Sequence, residues 1–352
     1  MIYARGVKDL LCNPRYYLNT SASDCPTPPP PQAYPPFEQE LDLERGLVTV
    51  TSGAIRIEVF VDWINDVTRV EINSTDGSSF VANVSTWLWR NESTPICKGK
   101  RSGQFSPTGT TCMPIDTCPP PSDGMHFAAD TIVRSAAPEL LWYRRNPART
   151  SVDASLEQQL LPSVAEGSRD VLGNNTFGVL VSQASAAAVG GGRLRKGADG
   201  ALQSGRTTQL EVLISAHVNQ TTSAMAWQAQ LRAKATAAGA ISHASARAAH
   251  ATAWRQIWGR SWMHTSARAG SEAWNNSMTI ALGRYVNLCQ GRGETPTHFT
   301  GGIFTTFNSQ SKSAASTYAT FDSFDYRSWG SAYWWQNTRY LGTLRISESL
   351  NL

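Results

Sequence analysis

The sequence changes its periodicity near residue 222, and this change limits the chain to a β-rich part followed by a helical part. Before this point, short runs alternate in character, as in AIRIEVFVDW, where Ile55, Ile57 and Val59 alternate with Arg56 and Glu58. A period of two residues is typical of strands in an antiparallel sheet. After it, AMAWQAQLRAKATAAGA and ISHASARAAHATAWRQIWGRSWM are rich in alanine and other helix formers. We therefore predict strands first and helices second.

The chain has 352 residues, which is enough for two domains of ordinary size. We expect an irregular, Pro-rich segment over 1–36, a β-sandwich over 37–220, a helical linker with the first helix over 221–265, and further helices over 266–352. One of those helices, around MTIALGRYVNLCQ, is predicted to end before Gly291.

Charge and hydropathy limit the partners. The formal net charge of +4 is spread along the chain without a dense Lys/Arg block that would follow a phosphate backbone, so we expect no nucleic-acid partner. No run of about eighteen apolar residues occurs, so we expect no membrane-spanning helix. The first residues lack the pattern of a signal peptide.

Glycosylation sequons favour an extracellular protein. Asn-X-Ser/Thr begins at seven positions, more than the Ser and Thr content would produce by chance. The seven are Asn19, Asn73, Asn83, Asn91, Asn174, Asn219 and Asn275. The alternative is that the chain is simply rich in Ser and Thr.

The cysteines favour disulfides over a metal site. Five of the six lie in Pro-rich or polar stretches, where a cross-link would hold loops that bury little; they are Cys12, Cys25, Cys97, Cys112 and Cys118. We expect at least one disulfide among the last three. The spacings lack the close Cys-X-X-Cys pairs of zinc sites, so no metal site is expected. Cys289, in a helical pattern, is predicted to be a buried free thiol.

Large side chains recur at helical spacing in the second predicted helix. They are His243, His250, Trp254, Ile257, Trp258 and Trp262. We interpret this stripe as a packed core face rather than a binding site.

Blocks near the end of the chain point to a known family. WRQIWGRSWM, GRYVNLCQGRGETPTHFTGGIFTTF and FDYRSWGSAYWWQNTRY occur in this order, and together they resemble an uncharacterised family of six-hairpin-glycosidase-like proteins, distantly related to inverting α-L-fucosidases. Upstream runs such as VFVDWINDVTRVEI and NNTFGVLV look like the β-sandwich of that family, and the resemblance covers about residues 35–340. It implies an antiparallel β-sandwich (supersandwich), a helical linker and the first helices of an incomplete (α/α)₆ toroid.

This sequence departs from the family pattern in three places, one of which is Tyr340-Leu341-Gly342-Thr343, where the family continues Leu-Pro-Tyr-Trp. The loop His298-Phe299-Thr300-Gly301 stands where the family has Lys-Phe-Asn-Gly, so an asparagine expected to face the sugar is missing. The later toroid helices, which carry the general acid in related enzymes, are also missing. We therefore expect a truncated gene product that lacks its export signal and turns over no glycoside.

The densest candidate site lies in the last block. Planar Trp faces contact the C–H groups of sugars, and polar side chains bind the hydroxyls. The predicted substrate-binding residues are Arg327, Trp329, Trp334, Trp335, Gln336, Asn337, Arg339 and His298. The predicted catalytic residues are Asp325 and Asp322, the local carboxylates; no spacing argument selects between them. The structural alternative is an aromatic helix packed into the barrel wall, with Arg327 paired to Asp325.

Three classes of function remain open. The resemblance implies a glycoside hydrolase for glycans of the α-L-fucoside or α-galactoside type, with an oligosaccharide or polysaccharide partner and no cofactor. A non-catalytic carbohydrate-binding β-sandwich is the second class. A fragment without function is the third, since an open toroid would expose apolar helix faces.

Overall fold

The computed structural model describes residues 37–86, 129–148, 172–184, 192–197, 200–265 and 268–290, with a few short pieces between and before them. The chain divides into two compact units. The first comprises Met1–Lys98 and Pro120–Ala253, and the second comprises Gly99–Pro119 and Trp254–Leu352.

The strands of the described residues all belong to the first unit and are numbered in chain order. They are β1 (Ile2–Tyr3), β2 (Phe37–Asp42), β3 (Leu47–Ser52), β4 (Ile55–Val61), β5 (Thr68–Ser74), β6 (Asn83–Val84), β7 (Thr94–Pro95), β8 (His126–Phe127), β9 (Thr131–Val133), β10 (Leu140–Arg145), β11 (Asn175–Gln183), β12 (Leu194–Lys196), β13 (Leu202–Ser204) and β14 (Gln209–Gln220).

An eight-stranded sheet dominates this unit. Its order is β2-β3-β4-β5-β14-β11-β10-β9, and every neighbouring pair is antiparallel. A smaller sheet has the order β1-β6-β13-β12, and β7 pairs with β8. The prediction of an antiparallel β part before the helices is confirmed. The central pair β5–β14 joins strands that are far apart in the chain.

One face of the large sheet forms an apolar core with the small sheet. Val70 and Ile72 of β5 and Leu210 of β14 are buried in one cluster with Val84 of β6 and Leu202 of β13. These residues come from both sheets, so the two sheets pack face to face as a sandwich. The alternation of the strands explains this, because every second side chain points to the same face.

Three helices follow the strands in the described residues: α1 (Ala224–Gly239), α2 (His243–Arg260) and α3 (Glu272–Gln290). None of them is long and apolar enough to cross a membrane. The hydroxyl of Ser223 accepts a hydrogen bond from the amide of Ala226 at 3.1 Å and so caps the start of α1. The predicted helical part is confirmed, while the toroid stays a prediction.

Helix α1 covers the opposite face of the large sheet. Trp227 and Leu231 are fully buried in a second core with Leu141 of β10 and Leu180 of β11. A Cβ on Gly178 would clash with the backbone oxygen of Trp142 in β10 and would lie 2.6 Å from Cη2 of Trp227. The neighbouring strand and the helix therefore both require a glycine at this point of β11.

In the second unit, the end of α2 packs against α3. Trp254 and Ile257 are buried, and the Trp254 ring stacks on Tyr285 with 4.9 Å between centroids. Arg284 donates to the carbonyl of Ile257 at 2.8 Å, which satisfies an acceptor in the last turn of α2. The predicted packed stripe is confirmed for these residues. It is wrong for Trp262, which is 78% exposed, because the helix ends two residues before it.

Cys289 on α3 is a free thiol, as predicted, but it is exposed rather than buried. It lies one residue before the end of the helix, and the helical pattern of the sequence does not show which face is covered there. The other five cysteines lie outside the described residues, so the predicted disulfide among Cys97, Cys112 and Cys118 stays a prediction.

Candidate functional site

Three glutamates form a row across the centre of the large sheet. Glu58 of β4 lies directly opposite Glu71 of β5, which lies directly opposite Glu211 of β14. The first and last of these residues are only 4% and 0% exposed. Neighbouring like charges destabilise a sheet, and buried carboxylates need partners. This row is therefore stable only if the groups facing it pair with the carboxylates.

His243, the first residue of α2, faces all three glutamates and is only 7% exposed. Its Nε2 lies 3.6 Å from Oε1 of Glu58 and 3.6 Å from Oε2 of Glu71, and its Nδ1 lies 3.6 Å from Oε1 of Glu211. These are ion-pair separations, longer than direct hydrogen bonds. Neither ring nitrogen has a hydrogen-bond partner.

His250, two turns later on α2, is different. Its Nδ1 accepts from the amide of Trp63 at 3.2 Å, so its Nε2 is the nitrogen that donates to the carbonyl of Gly46 at 3.1 Å. The Phe60 ring contacts both imidazoles, with centroids 4.8 Å from His250 and 5.3 Å from His243. The polar atoms of His250 thus bind backbone, whereas those of His243 face carboxylates alone.

Arg69 is the fully buried cation beside this row. The three glutamates, Asp62, Arg69, His243 and Arg247 are called the polar cluster below. Its Nε donates to Asp62 at 2.9 Å, and its Nη1 donates to Glu211 at 2.8 Å. It also donates to the carbonyls of Ala238 at 2.8 Å and Ile241 at 3.2 Å. One guanidinium therefore pairs two carboxylates and ties the end of α1 and the α1–α2 connection to the sheet.

The glutamates of β4 and β5 have unlike partners. Arg247 of α2 holds Glu58 through Nε and through Nη2, the latter at 3.1 Å. Glu71 accepts from the side-chain amides of Asn73 and Gln209, each at 2.9 Å. Among the described residues, Glu71 thus has amide donors and His243 but no guanidinium partner.

The electrostatics of the cluster favour positive charge at His243. Burial by itself lowers the pKa of this imidazole, but the carboxylates of Glu211 and Glu58 outweigh it and raise the pKa to about 9. Burial raises the pKa of Glu58, and contacts with His243 and Arg247 outweigh that effect and hold it below the usual range. In the nearby turn, hydrogen bonds from Asn65 and Arg69 likewise outweigh burial and hold the pKa of Asp62 below its usual range.

The same arrangement can hold a cation. One ligand atom each from Glu58, Glu71 and His243 lies within 4.8 Å of the other two. Imidazole nitrogen and carboxylate oxygen are ligands of divalent transition metals. This capacity was not expected from the sequence, which predicted no metal site.

All residues that the sequence predicted for the site lie between residues 291 and 352, outside the described residues. They are His298, Asp322, Asp325, Arg327, Trp329, Trp334, Trp335, Gln336, Asn337 and Arg339, and they stay predictions. The glutamate row was missed. Glutamate is depleted in strands, so its central place in IRIEVFV, TRVEINS and QLEVLIS was a usable signal.

Comparison with known proteins places the chain in a family. A solved structure named "Putative kojibiose phosphorylase from human microbiome" is similar over 76% of this chain, with 8% identity and a TM-score of 0.38, and the matched part is 30% of that protein's length. No curated protein matches the sequence. Residues 26–263, which are more than half of the 352, match the family described as "Domain of unknown function (DUF5703)". The chain therefore belongs to the DUF5703 family, whose N-terminal domain it contains.

Proposed function

We propose that this protein acts on or binds glycans. The observation that carries the proposal is the order of its parts: an antiparallel two-sheet sandwich is followed directly by helices. This is the order implied by the resemblance to six-hairpin-glycosidase-like proteins. The candidate polar and aromatic residues of that resemblance lie in the last block, where Asp325 and Asn337 are the proposed sugar-contacting residues.

A glycan array and a turnover assay together test this proposal. The purified chain is applied to the array and incubated with aryl α-L-fucosides and α-galactosides. Turnover that is lost in Asp325→Ala or Asn337→Ala supports a hydrolase. Binding without turnover supports a carbohydrate-binding protein. A folded chain that shows neither binding nor turnover would refute the glycan proposal.

An exposed aromatic surface of the sandwich favours a carbohydrate-binding protein without turnover. Phe177 is 45% exposed, and its ring contacts Trp142 edge-on with 5.6 Å between centroids. Ile132 pairs with Trp142 and Val218 pairs with Phe177, so all four side chains lie on one face of β9, β10, β11 and β14. Arg144 lies opposite Phe177 on the neighbouring strand. An aromatic surface with a neighbouring hydrogen-bond donor is suited to a sugar ring.

This second candidate has its own test. Phe177→Ala removes the most exposed ring of the surface and should weaken glycan binding by the full chain several-fold. Phe37→Ala is the matched control, since Phe37 is an exposed phenylalanine on the opposite edge strand of the same sheet. If Phe177→Ala binds glycan as tightly as Phe37→Ala does, this surface is not the binding site.

We also propose an extracellular location, supported by the sequons. Asn83, Asn219 and Asn275 are exposed. Asn73 donates to Glu71 within the sheet, and Asn174 accepts from Arg145, so these two are engaged in the fold. Secretion from a eukaryotic cell should give glycan at the exposed positions, detected as a mass loss after enzymatic deglycosylation. Absence of this loss would show that the sequons are not used and would remove their support for an extracellular location.

A further inference from the structure

We propose that Glu58, Glu71 and His243 bind one divalent transition-metal ion, which fixes the start of α2 to the large sheet. The three ligands come from three elements, namely β4, β5 and α2. Their ligand atoms lie within 4.8 Å of one another. None of the three ligands is among the proposed glycan-binding residues of the last block.

Two of the three ligand separations fit a shared ion. Two ligand atoms that each lie about 2.1 Å from an ion, at a tetrahedral angle, are about 3.4 Å apart. The Nε2 atom of His243 lies 3.6 Å from the nearest oxygen of Glu58 and 3.6 Å from that of Glu71. Both distances are too long for direct hydrogen bonds and close to the separation of two metal ligands.

His243 distinguishes this cluster from an ordinary group of acidic residues. Its side chain is more than nine-tenths buried, is aimed at the carboxylates and has no hydrogen-bond partner at either nitrogen. Buried polar groups normally form direct hydrogen bonds, and His243 has only ion-pair separations of 3.6 Å in their place. Glu71 meanwhile has no guanidinium partner among the described residues. A cation between these two residues removes both deficits.

The surrounding groups have the arrangement of an outer coordination shell. Oε1 of Glu211 faces Nδ1 of His243 at 3.6 Å, on the side of the ring opposite to the proposed ligand nitrogen. Arg69 in turn holds Glu211. The amides of Asn73 and Gln209 orient Glu71. Metal-binding histidines commonly face a carboxylate with their other nitrogen, and ligating carboxylates are commonly hydrogen-bonded in this way.

The burial of the ligands assigns the ion a structural role. Glu58 and His243 are 4% and 7% exposed and the Glu71 side chain is 17% exposed, so most of the proposed coordination sphere is shielded from solvent. Closed sites with protein ligands stabilise a fold, whereas catalytic sites keep an open position. Glu58 and Glu71 belong to adjacent sheet strands and His243 begins a helix, so the ion would connect secondary-structure elements that are distant in sequence.

Zinc binding by the wild-type chain is the first test. The full chain, purified without a polyhistidine tag, is dialysed against a chelator, then against Zn²⁺, and freed of unbound ion. We expect about one zinc per chain and a higher midpoint of thermal unfolding, since an ion that binds the folded state stabilises it. Co²⁺ should give a visible absorption band from a nitrogen-oxygen site. Absence of both stoichiometric zinc and a Co²⁺ band would overturn the proposal and leave a metal-free ion network.

Variants test which residues are the ligands. His243→Gln should lose stoichiometric zinc, and Glu211→Gln should lower zinc affinity about 10–100-fold through the outer shell. His217→Gln is the matched control, because His217 lies on β14 and its Nε2 is hydrogen-bonded to Gln230 at 3.1 Å. Full zinc retention in folded His243→Gln would refute the assignment. If that variant does not fold, the wild-type zinc and Co²⁺ measurements decide the outcome.

Discussion

Replacing Arg69 by methionine should destabilise the first unit more than any other single change in the polar cluster. The side chain is fully buried, makes ion pairs with Asp62 and Glu211, and donates to the carbonyls of Ala238 and Ile241. Methionine has a similar length but no donors. The variant therefore leaves two buried carboxylates without their guanidinium and two carbonyls without this donor.

The expected loss can be estimated from these contacts. Removing one partner of a buried ion pair costs about 3–5 kcal/mol, because the other charge stays buried. Asp62 keeps donors in its own turn, from Asn65 and the amide of Ile64. Glu211 loses its hydrogen-bond donor, so it accounts for most of the loss. Changing Arg69→Met together with Asp62→Asn and Glu211→Gln removes the unpaired charges and should recover about half of the lost stability.

Denaturant unfolding, followed by far-UV circular dichroism and by Trp fluorescence, measures this loss as a free energy of unfolding. Arg56→Met is the matched control. The side chain of Arg56 is 45% exposed and pairs with Glu58 at 3.3 Å, so its loss should cost under about 1 kcal/mol. If Arg69→Met lowers the free energy of unfolding no more than this control does, the buried ion pairs of Arg69 do not stabilise the first unit.

Three further predictions follow from other parts of the chain. Gly178→Ala should lower the free energy of unfolding by about 1–3 kcal/mol, because its Cβ would lie 2.6 Å from the Trp227 ring. The control Gly259→Ala should change it by under about 1 kcal/mol, because a Cβ there meets nothing within 4 Å. Asp62 has a lowered pKa, so its contribution to stability is complete above pH of about 3.9 and is lost as the pH falls further; Asp62→Asn should flatten the acid limb of a stability–pH curve, and an unchanged limb would contradict this. Mass mapping without reduction should find a disulfide among the cysteines of 97–118, and three free thiols there would contradict that prediction.

The elements were predictable from the sequence because each depends on local pattern. The alternation in IRIEVFV corresponds to β4, and the Ala-rich runs correspond to α1 and α2. The stripe was correctly interpreted as a packed face at His250 and Trp254, which are both buried. A period of two or 3.6 residues sets which side chains share a face, whatever covers that face later.

The glutamate row was not predictable in the same way because it depends on long-range pairing. Glu58 and Glu71 face each other across a hairpin, but Glu211 joins them only because β14 pairs with β5 in one particular register. A shift of one residue would turn Glu211 to the other face. The polar residues of these strands could also be read as a solvated face. They are buried because helices α1 and α2 cover them, which the strand pattern cannot show.

The polar cluster follows from how the helices end. The carbonyl of Ala238 at the end of α1 accepts from the amide of Ile241 at 3.2 Å, and the chain turns at once into α2. Arg69 supplies donors to Ala238 and to Ile241 from the sheet below. A buried guanidinium needs carboxylates, so Asp62 and Glu211 must be close to it. Placing Glu211 in the row with two further glutamates then requires positive charge above them.

Without a bound ion, protonated His243 and Arg247 supply that charge from the first turns of α2, where the positive end of the helix dipole also favours carboxylates. A bound metal ion would replace the proton on Nε2 of His243 and supply the charge itself. The polar face therefore specifies where the α1–α2 connection docks, because a shift of either helix would leave buried charges unpaired. The opposite face of the same strands is apolar and packs without such geometric demands. The apolar face would then contribute mainly stability, and the polar face would fix the position of the helices. Leu210→Ala should lower the free energy of unfolding without changing zinc binding. His243→Gln should abolish zinc binding. Loss of zinc binding in a folded Leu210→Ala chain would refute this separation.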